Sequence, residues 1–137
     1  MKKGKDIIKK DVEYILENLG SEIYQLEGKS IMITGGTGLI GRYFLETFAY
    51  LNDYIFQSKC FVRSLQRNLK KNCKGLEHLI GRDDIKFTDH DVSSQHENNE
   101  HYDFIVHAAG NSSPFFFKEN QLGTVSVNVD GIRWILD

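Results

Sequence analysis

Two of the 137 residues are cysteine, Cys60 and Cys73, and they lie far apart. Neither a disulfide framework nor a paired metal knuckle can be built from them, and a reduced, cytoplasmic setting is expected. Long apolar runs are also missing: none approaches the ~20 residues a membrane helix needs. The basic opening Met1-Lys2-Lys3 leads into Gly4-Lys5-Asp6 and not into an apolar stretch, so no secretion signal is read there. Strong charge of one sign is absent as well. A net charge of −2 gives no electrostatic reason to expect nucleic acid or an anionic membrane as partner. The histidines His78, His90, His96, His101 and His107 show no two-ligand spacing and no cysteine partner, so no metal site is expected. What remains, 40% hydrophobic and 26% charged residues without repeats or low-complexity tracts, is ordinary globular composition at the length of one domain.

The apolar positions give the organisation. Ile8, Val12, Ile15, Leu16 and Leu19 recur at helical spacing among lysines and glutamates, predicting an amphipathic helix over 6–19 that Gly20 and Ser21 end. Residues 1–28 are read as this helix and a leader packed on the domain, and 29–137 as the domain itself. Ser30 to Thr34 is short and nearly all apolar, as a strand buried on both faces must be. Leu39 to Leu51 has helical character. Further strands are predicted at 59–63, 84–88 and 104–108, with one or two short helices over 65–80 and loop over 93–101. Gln121 to Asp137 reads as one helix carrying Leu122, Val125, Val129, Ile132 and Ile135. This alternation predicts an α/β, Rossmann-like, doubly wound parallel sheet of about four strands, order 3-2-1-4, with an extra N-terminal helix. No glycine, proline or basic cap closes the last helix, so the domain is expected to be incomplete at its C-terminal end.

The segment joining the first strand to its helix is Thr34-Gly35-Gly36-Thr37-Gly38-Leu39-Ile40-Gly41. Gly36, Gly38 and Gly41 match G-x-G-x-x-G in the strand-turn-helix setting that makes the pattern informative. The first glycine is expected to permit the tight turn, the second to let a pyrophosphate approach the backbone, and the third to let the helix pack on the strand. The helix N-terminus then offers amides and a positive dipole end to phosphate. A nucleoside-triphosphate loop is excluded, because Arg42-Tyr43 stands where Lys-Ser/Thr would have to reach the terminal phosphates and Mg²⁺.

On these residues the chain resembles the extended short-chain dehydrogenase/reductase superfamily and its NAD-dependent epimerase/dehydratase family. Thr34, Gly35, Gly38 and Gly41 fit the T-G-x-x-G-x-x-G signature, Asp91-Val92 looks like the acidic-apolar pair that contacts adenine, and His107-Ala108-Ala109-Gly110 resembles the H-x-A-[AG] segment on the ribose side. Asn128 to Gly131 is similar to the N-x-x-G element of the following helix, and residues 107–114 look most like the dTDP-glucose 4,6-dehydratase and UDP-glucuronate decarboxylase branch. The resemblance implies a dinucleotide held by residues 35–41 with Asp91, Val92, Ala108, Ala109 and Gly110. It also implies a nucleotide-sugar substrate for the full-length protein and a homodimer through the last helix. Beside each role stands a plainer reading: Asp91 as a turn cap, His107 as a hydrogen-bonded core residue, Ser112 and Ser113 as ordinary loop.

The residue closing the second strand sorts NAD from NADP: a carboxylate accepts from the adenosine ribose, whereas arginine meets a 2′-phosphate. Here Arg63-Ser64 is expected to close it, with Arg67 one helical turn on. NAD is the cofactor the resemblance implies, and Arg63 keeps NADP open. None of Tyr14, Tyr24, Tyr43, Tyr50, Tyr54 and Tyr102 has a lysine four residues later, so the family's Tyr-x-x-x-Lys acid/base pair is absent from these residues and no catalytic residue is assigned. The chain by itself is expected to be inactive. Two other readings stay open: a non-catalytic NAD(P) sensor, which needs no such pair, and an interaction domain that binds no nucleotide.

Overall fold

Three successive residues of the first apolar run, Ile31, Met32 and Ile33, have no accessible surface. Successive side chains of a strand leave on opposite faces, so both faces of this one must be covered. The computed structural model describes residues 2–95, 100–110 and 113–136. The chain runs through α1 (Lys2–Leu19), a 3-10 segment (Gly20–Leu26), β1 (Ser30–Thr34), α2 (Leu39–Tyr54), β2 (Phe61–Gln66), α3 (Leu69–Asn72), β3 (Ile85–Asp89) and β4 (Phe104–His107). It continues through α4 (Pro114–Glu119), α5 (Gln121–Val125), a π-helical stretch (Ser126–Asp130) and α6 (Gly131–Leu136). The strands form a parallel four-stranded sheet in the order β3-β2-β1-β4, as the alternation predicts.

Ile31, Ile33, Val62 and Ile85 meet α1 and α2 on one face, through Val12, Leu16, Leu45, Phe48 and Leu51. Met32 and Leu65 meet Val92, Val127 and Ile135 on the other. The N-terminal helix therefore shares the domain's own core, and a hydrogen bond from Tyr43 Oη to Asp11 Oδ2 (2.6 Å) ties it to α2. None of the helices of the described residues is long and apolar enough to cross a membrane.

Several boundaries move. Gly20, at φ +57, leads α1 into a 3-10 turn running to Leu26. The second strand is not 59–63 but Phe61–Gln66. Its polar end is buried because it satisfies itself: Ser64 Oγ donates to Gln66 Oε1 at 2.7 Å, two residues along on the same face. The last helix is not uniform, since a π-helical stretch lies between α5 and α6. Its Asn128 donates to the Thr124 carbonyl at 2.7 Å, the partner that a helix-interior asparagine requires. Pro114–Glu119 forms a helix where none is predicted, and it leaves Phe115 and Phe117 exposed.

Asp84 is not part of a strand. Its buried carboxylate receives Arg82 through two bonds, Nε to Oδ1 at 2.7 Å and Nη2 to Oδ2 at 2.6 Å, and Asn52 Nδ2 at 2.9 Å. Arg82 also bridges to Asp53 on α2. Asn52 accepts from the Cys60 amide and donates to its carbonyl, so this network clamps α2 to the start of β2. Burial pushes the Cys60 thiol up to about 11, which keeps it protonated and unreactive at neutral pH.

Candidate functional site

Thr34 closes β1, and the chain then turns sharply into α2. Gly35 adopts φ +70, and a Cβ there would lie 2.7 Å from Ala109 Cα and N. No side chain fits at that crossing of β1 and the segment after β4. A Cβ on Gly36 would overlap Ser64 Oγ, and one on Gly41 would overlap the Gly35 carbonyl and reach Gly36 Cα at 2.7 Å. Gly41 thus packs α2 against Gly35 and Gly36 of the turn, where the spacing predicts packing on the strand. The left-handed residue, however, is Gly35 and not Gly36. The first helical hydrogen bond runs from Arg42 N–H to the Gly38 carbonyl at 2.9 Å. By helix geometry the amides of Leu39, Ile40 and Gly41 therefore have no acceptor within α2, and they stand at its positive dipole end.

This turn opens on a cavity of about 190 Å³. Gly35, Thr37 and Gly38 line one side, and Val92, Ala108, Ala109, Gly110 and Val127 another. Leu65, Gln66, Arg67, Asn72 and His90 close the third. The cavity thus lies beyond the C-terminal ends of β1, β2 and β4, where open parallel sheets place their ligands. The segment after β4 is held in place by Thr34: its carbonyl accepts from Ala108 N–H at 3.1 Å, and its hydroxyl oxygen accepts from Ala109 N–H at 3.2 Å. The same hydroxyl is 2.9 Å from His107 Nδ1.

Of the residues singled out in the sequence, Gly35, Thr37, Gly38, Val92, Ala108, Ala109 and Gly110 come together around this cavity. Gly36 and Gly41 lie behind the turn, and the side chains of Leu39 and Ile40 point to solvent. Asp91 is not in the lining: Oδ1 accepts from Ser93 N–H (3.0 Å) and Oγ (2.7 Å), the arrangement of a turn cap, and Oδ2 is 3.6 Å from Arg67 Nη1. Arg63 requires correction. The strand closes at Gln66, so Arg63 stands three residues, roughly 10 Å, short of the sorting position. Its guanidinium pairs with Glu100 at 2.6 Å. Gln66, Asn72 and Val127 carry no sequence signal for this site, His90 reads in the sequence only as a candidate metal ligand, and Arg67 only as a residue beyond Arg63; the true end of β2 is what brings Gln66 and Arg67 to the cavity. Among the described residues no group of three or more His, Cys, Asp or Glu is placed to share a metal ion. His96 and Ser112 lie outside those residues.

The charged groups predict a pH response. Burial pushes the His107 imidazole below its ordinary range, outweighing the opposing Val127 backbone. Burial acts to raise Asp84 and Asp91, but their hydrogen-bond partners outweigh it, and both carboxyls sit below the ordinary value. In each case the unfolded chain takes up the proton first on acidification. Stability is therefore complete above about pH 6.5, declines as His107 titrates, and falls further below about pH 4 as the carboxyls do. Urea midpoints measured from pH 8 to 3 should follow that course; a midpoint that rises on acidification contradicts it.

Residues 31–137 match the model of the NAD dependent epimerase/dehydratase family. This chain belongs to that family. The match runs from β1 through α6 and takes in the turn, the cavity and every element that lines it. Among solved structures, this family member is similar to Pen from Bacillus thuringiensis, with 21% identity and a TM-score of 0.59 over 80% of this chain and 33% of that one. It is also similar to a short-chain dehydrogenase/reductase, glucose/ribitol dehydrogenase, from Brucella melitensis, with 20% identity and a TM-score of 0.57 over 81% of this chain and 50% of that one. Both are likenesses of fold, and the chain spans between a third and a half of those proteins. No curated protein matches it in sequence.

Proposed function

We propose that this family member is the dinucleotide-binding part of an enzyme that remodels a nucleotide sugar by transient hydride transfer at a ring carbon. The observation that carries the reading is the turn itself. Three glycines bring backbone to a helix N-terminus that faces a cavity at the strand ends, and amides without helical acceptors are what a pyrophosphate needs. Among the described residues, Gln66 in the same lining has a buried Nε2 with no hydrogen-bond partner, a donor suited to a ligand's oxygen.

Gly35, Thr37, Gly38 and the amides entering α2 would hold the pyrophosphate. Ala108, Ala109 and Gly110, small and backed by Thr34, would let the rest of the dinucleotide lie against the backbone. Bound there, a nicotinamide dinucleotide supplies a hydride acceptor and donor. The chain's own part is to bind and orient. Sugar recognition and proton transfer are assigned to residues of the whole protein beyond these, because the Tyr-x-x-x-Lys pair does not occur among the 137.

Calorimetric titration of the chain with NAD⁺ and NADP⁺ tests the reading. Saturable binding of at least one, at one site per chain, with no turnover of nucleotide sugars by the chain alone, is the expected result. Heat of dilution for both, from folded protein, would overturn it.

A further inference from the structure

We infer that Arg42 is a positioning residue of the dinucleotide site: from the first turn of α2 it holds the segment after α3, and so sets how far the cavity wall carrying Arg67 and Asn72 stands from the phosphate turn. This rests on the dinucleotide reading above. α3 is a single turn, Leu69–Asn72, and a helix that short cannot hold itself in water. Its Asn72 lines the cavity and donates from Nδ2 to the Arg67 carbonyl at 2.8 Å, so the two residues share one anchor. Before the helix, the Asn68 amide donates to Asp89 Oδ1 at 3.0 Å. Beyond it, three residues past Asn72, Arg42 Nη2 donates to the Gly75 carbonyl at 2.9 Å.

Arg42 links the two sides of the cavity. Its amide closes the phosphate turn by donating to the Gly38 carbonyl at 2.9 Å, and its side chain reaches the segment behind the opposite wall. The guanidinium lies against the chain at Gly75, where a Cβ would come within 3.0 Å of Nη1 and 3.3 Å of Nη2. One turn along α2, Glu46 Oε1 stands 3.5 Å from Arg42 Nε, and the Glu46 side chain is only 12% accessible. Its other oxygen, Oε2, is 2.8 Å from His78 Nε2. Gly75 and His78 are therefore tied to successive turns of one helix, through Arg42 and Glu46. Leu76 and Leu79, both buried, anchor the same segment in the core. Apolar burial is non-directional, so it fixes depth better than position along α2. A planar fork held between a carbonyl and a carboxylate fixes direction and distance together. Loss of Arg42 should thus disturb the site more than the fold.

The test is calorimetric titration of the chain with NAD⁺ and NADP⁺, repeated on Arg42→Met and Arg42→Lys, with amide hydrogen exchange followed in each protein. Arg42→Met should weaken whichever dinucleotide the chain binds by about tenfold, the equivalent of one charge-assisted hydrogen bond. Exchange should quicken at Cys73 and Leu76, whose amides bond within the held segment, and stay unchanged in the middle of α2. Arg42→Lys keeps the charge beside Glu46 without the fork and should recover part of the affinity. His78→Ala releases the outer end of the same tie; it should act in the same direction by a smaller factor, and it decides the matter should Arg42→Met not fold. The role is overturned, and the dinucleotide reading kept, if affinity stays within about twofold of the unaltered chain, or if exchange is unchanged or rises evenly through the domain. If the unaltered chain binds neither dinucleotide, both fail.

Discussion

Gly35→Ala is expected to cost the domain roughly 2–5 kcal/mol and to abolish dinucleotide binding. Two terms add. An L-residue in the left-handed region costs about 1–2 kcal/mol, and Gly35 sits at φ +70. The new methyl would also meet Ala109 Cα and N at 2.7 Å, an overlap with backbone that no rotamer change relieves. Overpacking of that kind typically costs about 1–3 kcal/mol. Relief requires the segment after β4 to move away from β1, which breaks the bonds from Ala108 and Ala109 to Thr34 and opens the far wall of the cavity. Gly20→Ala provides the control. Its φ is +57, but nothing lies within 4 Å of the added carbon. It should lose only the backbone term and leave binding unchanged. Urea denaturation of both variants, with dinucleotide titration, separates the two effects. Equal losses from both would show that the close approach to Ala109 carries no weight.

The second large effect belongs to Asp84, far from the cavity. Removing one partner of a buried ion pair typically costs about 3–5 kcal/mol, because the remaining charge is left in a poor dielectric. Asp84→Ala should fall at the lower end, about 3 kcal/mol, because Arg82 keeps its bonds to Asp53. Asn52 would lose one acceptor and retain Cys60. Pairing Arg82→Met with Asp84→Leu should cost clearly less than the two single changes added together, since neither member of the Arg82–Asp84 pair is then left as a lone charge, and the Asp53 carboxylate that loses Arg82 is partly exposed to solvent. Urea melts of the singles and the double supply the cycle. A loss under about 1 kcal/mol for Asp84→Ala, or strict additivity, would mean that the network is not holding α2 to the sheet.

How far the residues alone reveal this site depends on where the information lies along the chain. β1, the turn and α2 are legible because each is contiguous: an apolar run, a glycine spacing, then apolar positions at helical intervals. The end of β2 is not. Ser64 and Gln66 look like loop residues by polarity, yet they are buried because they bond each other, with Ser64 fitting under a position that only glycine can occupy. Placing the strand end too early put Arg63 at the close of β2, a position that Gln66 holds. Asp84 misled in the same way, as a strand residue that proves to be the centre of a buried ion network. The remaining cavity residues, Asn72, His90 and Val127, come from separate elements that the parallel strand order brings together, and no local pattern marks them. The π-helical stretch is equally silent, because Val125, Val129 and Ile132 suit an ordinary helical period.

A phosphate is expected to meet backbone at the turn entering α2. Amide resonances of ¹⁵N-labelled chain, followed during titration with NAD⁺ and with NADP⁺, address that directly. The prediction is saturable shifts concentrated at Gly35 to Gly41 and at Ala108 to Gly110, with the amides of Leu39, Ile40 and Gly41 among the largest. Spectra that stay unchanged in folded protein, or shifts that gather away from the start of α2, would contradict it.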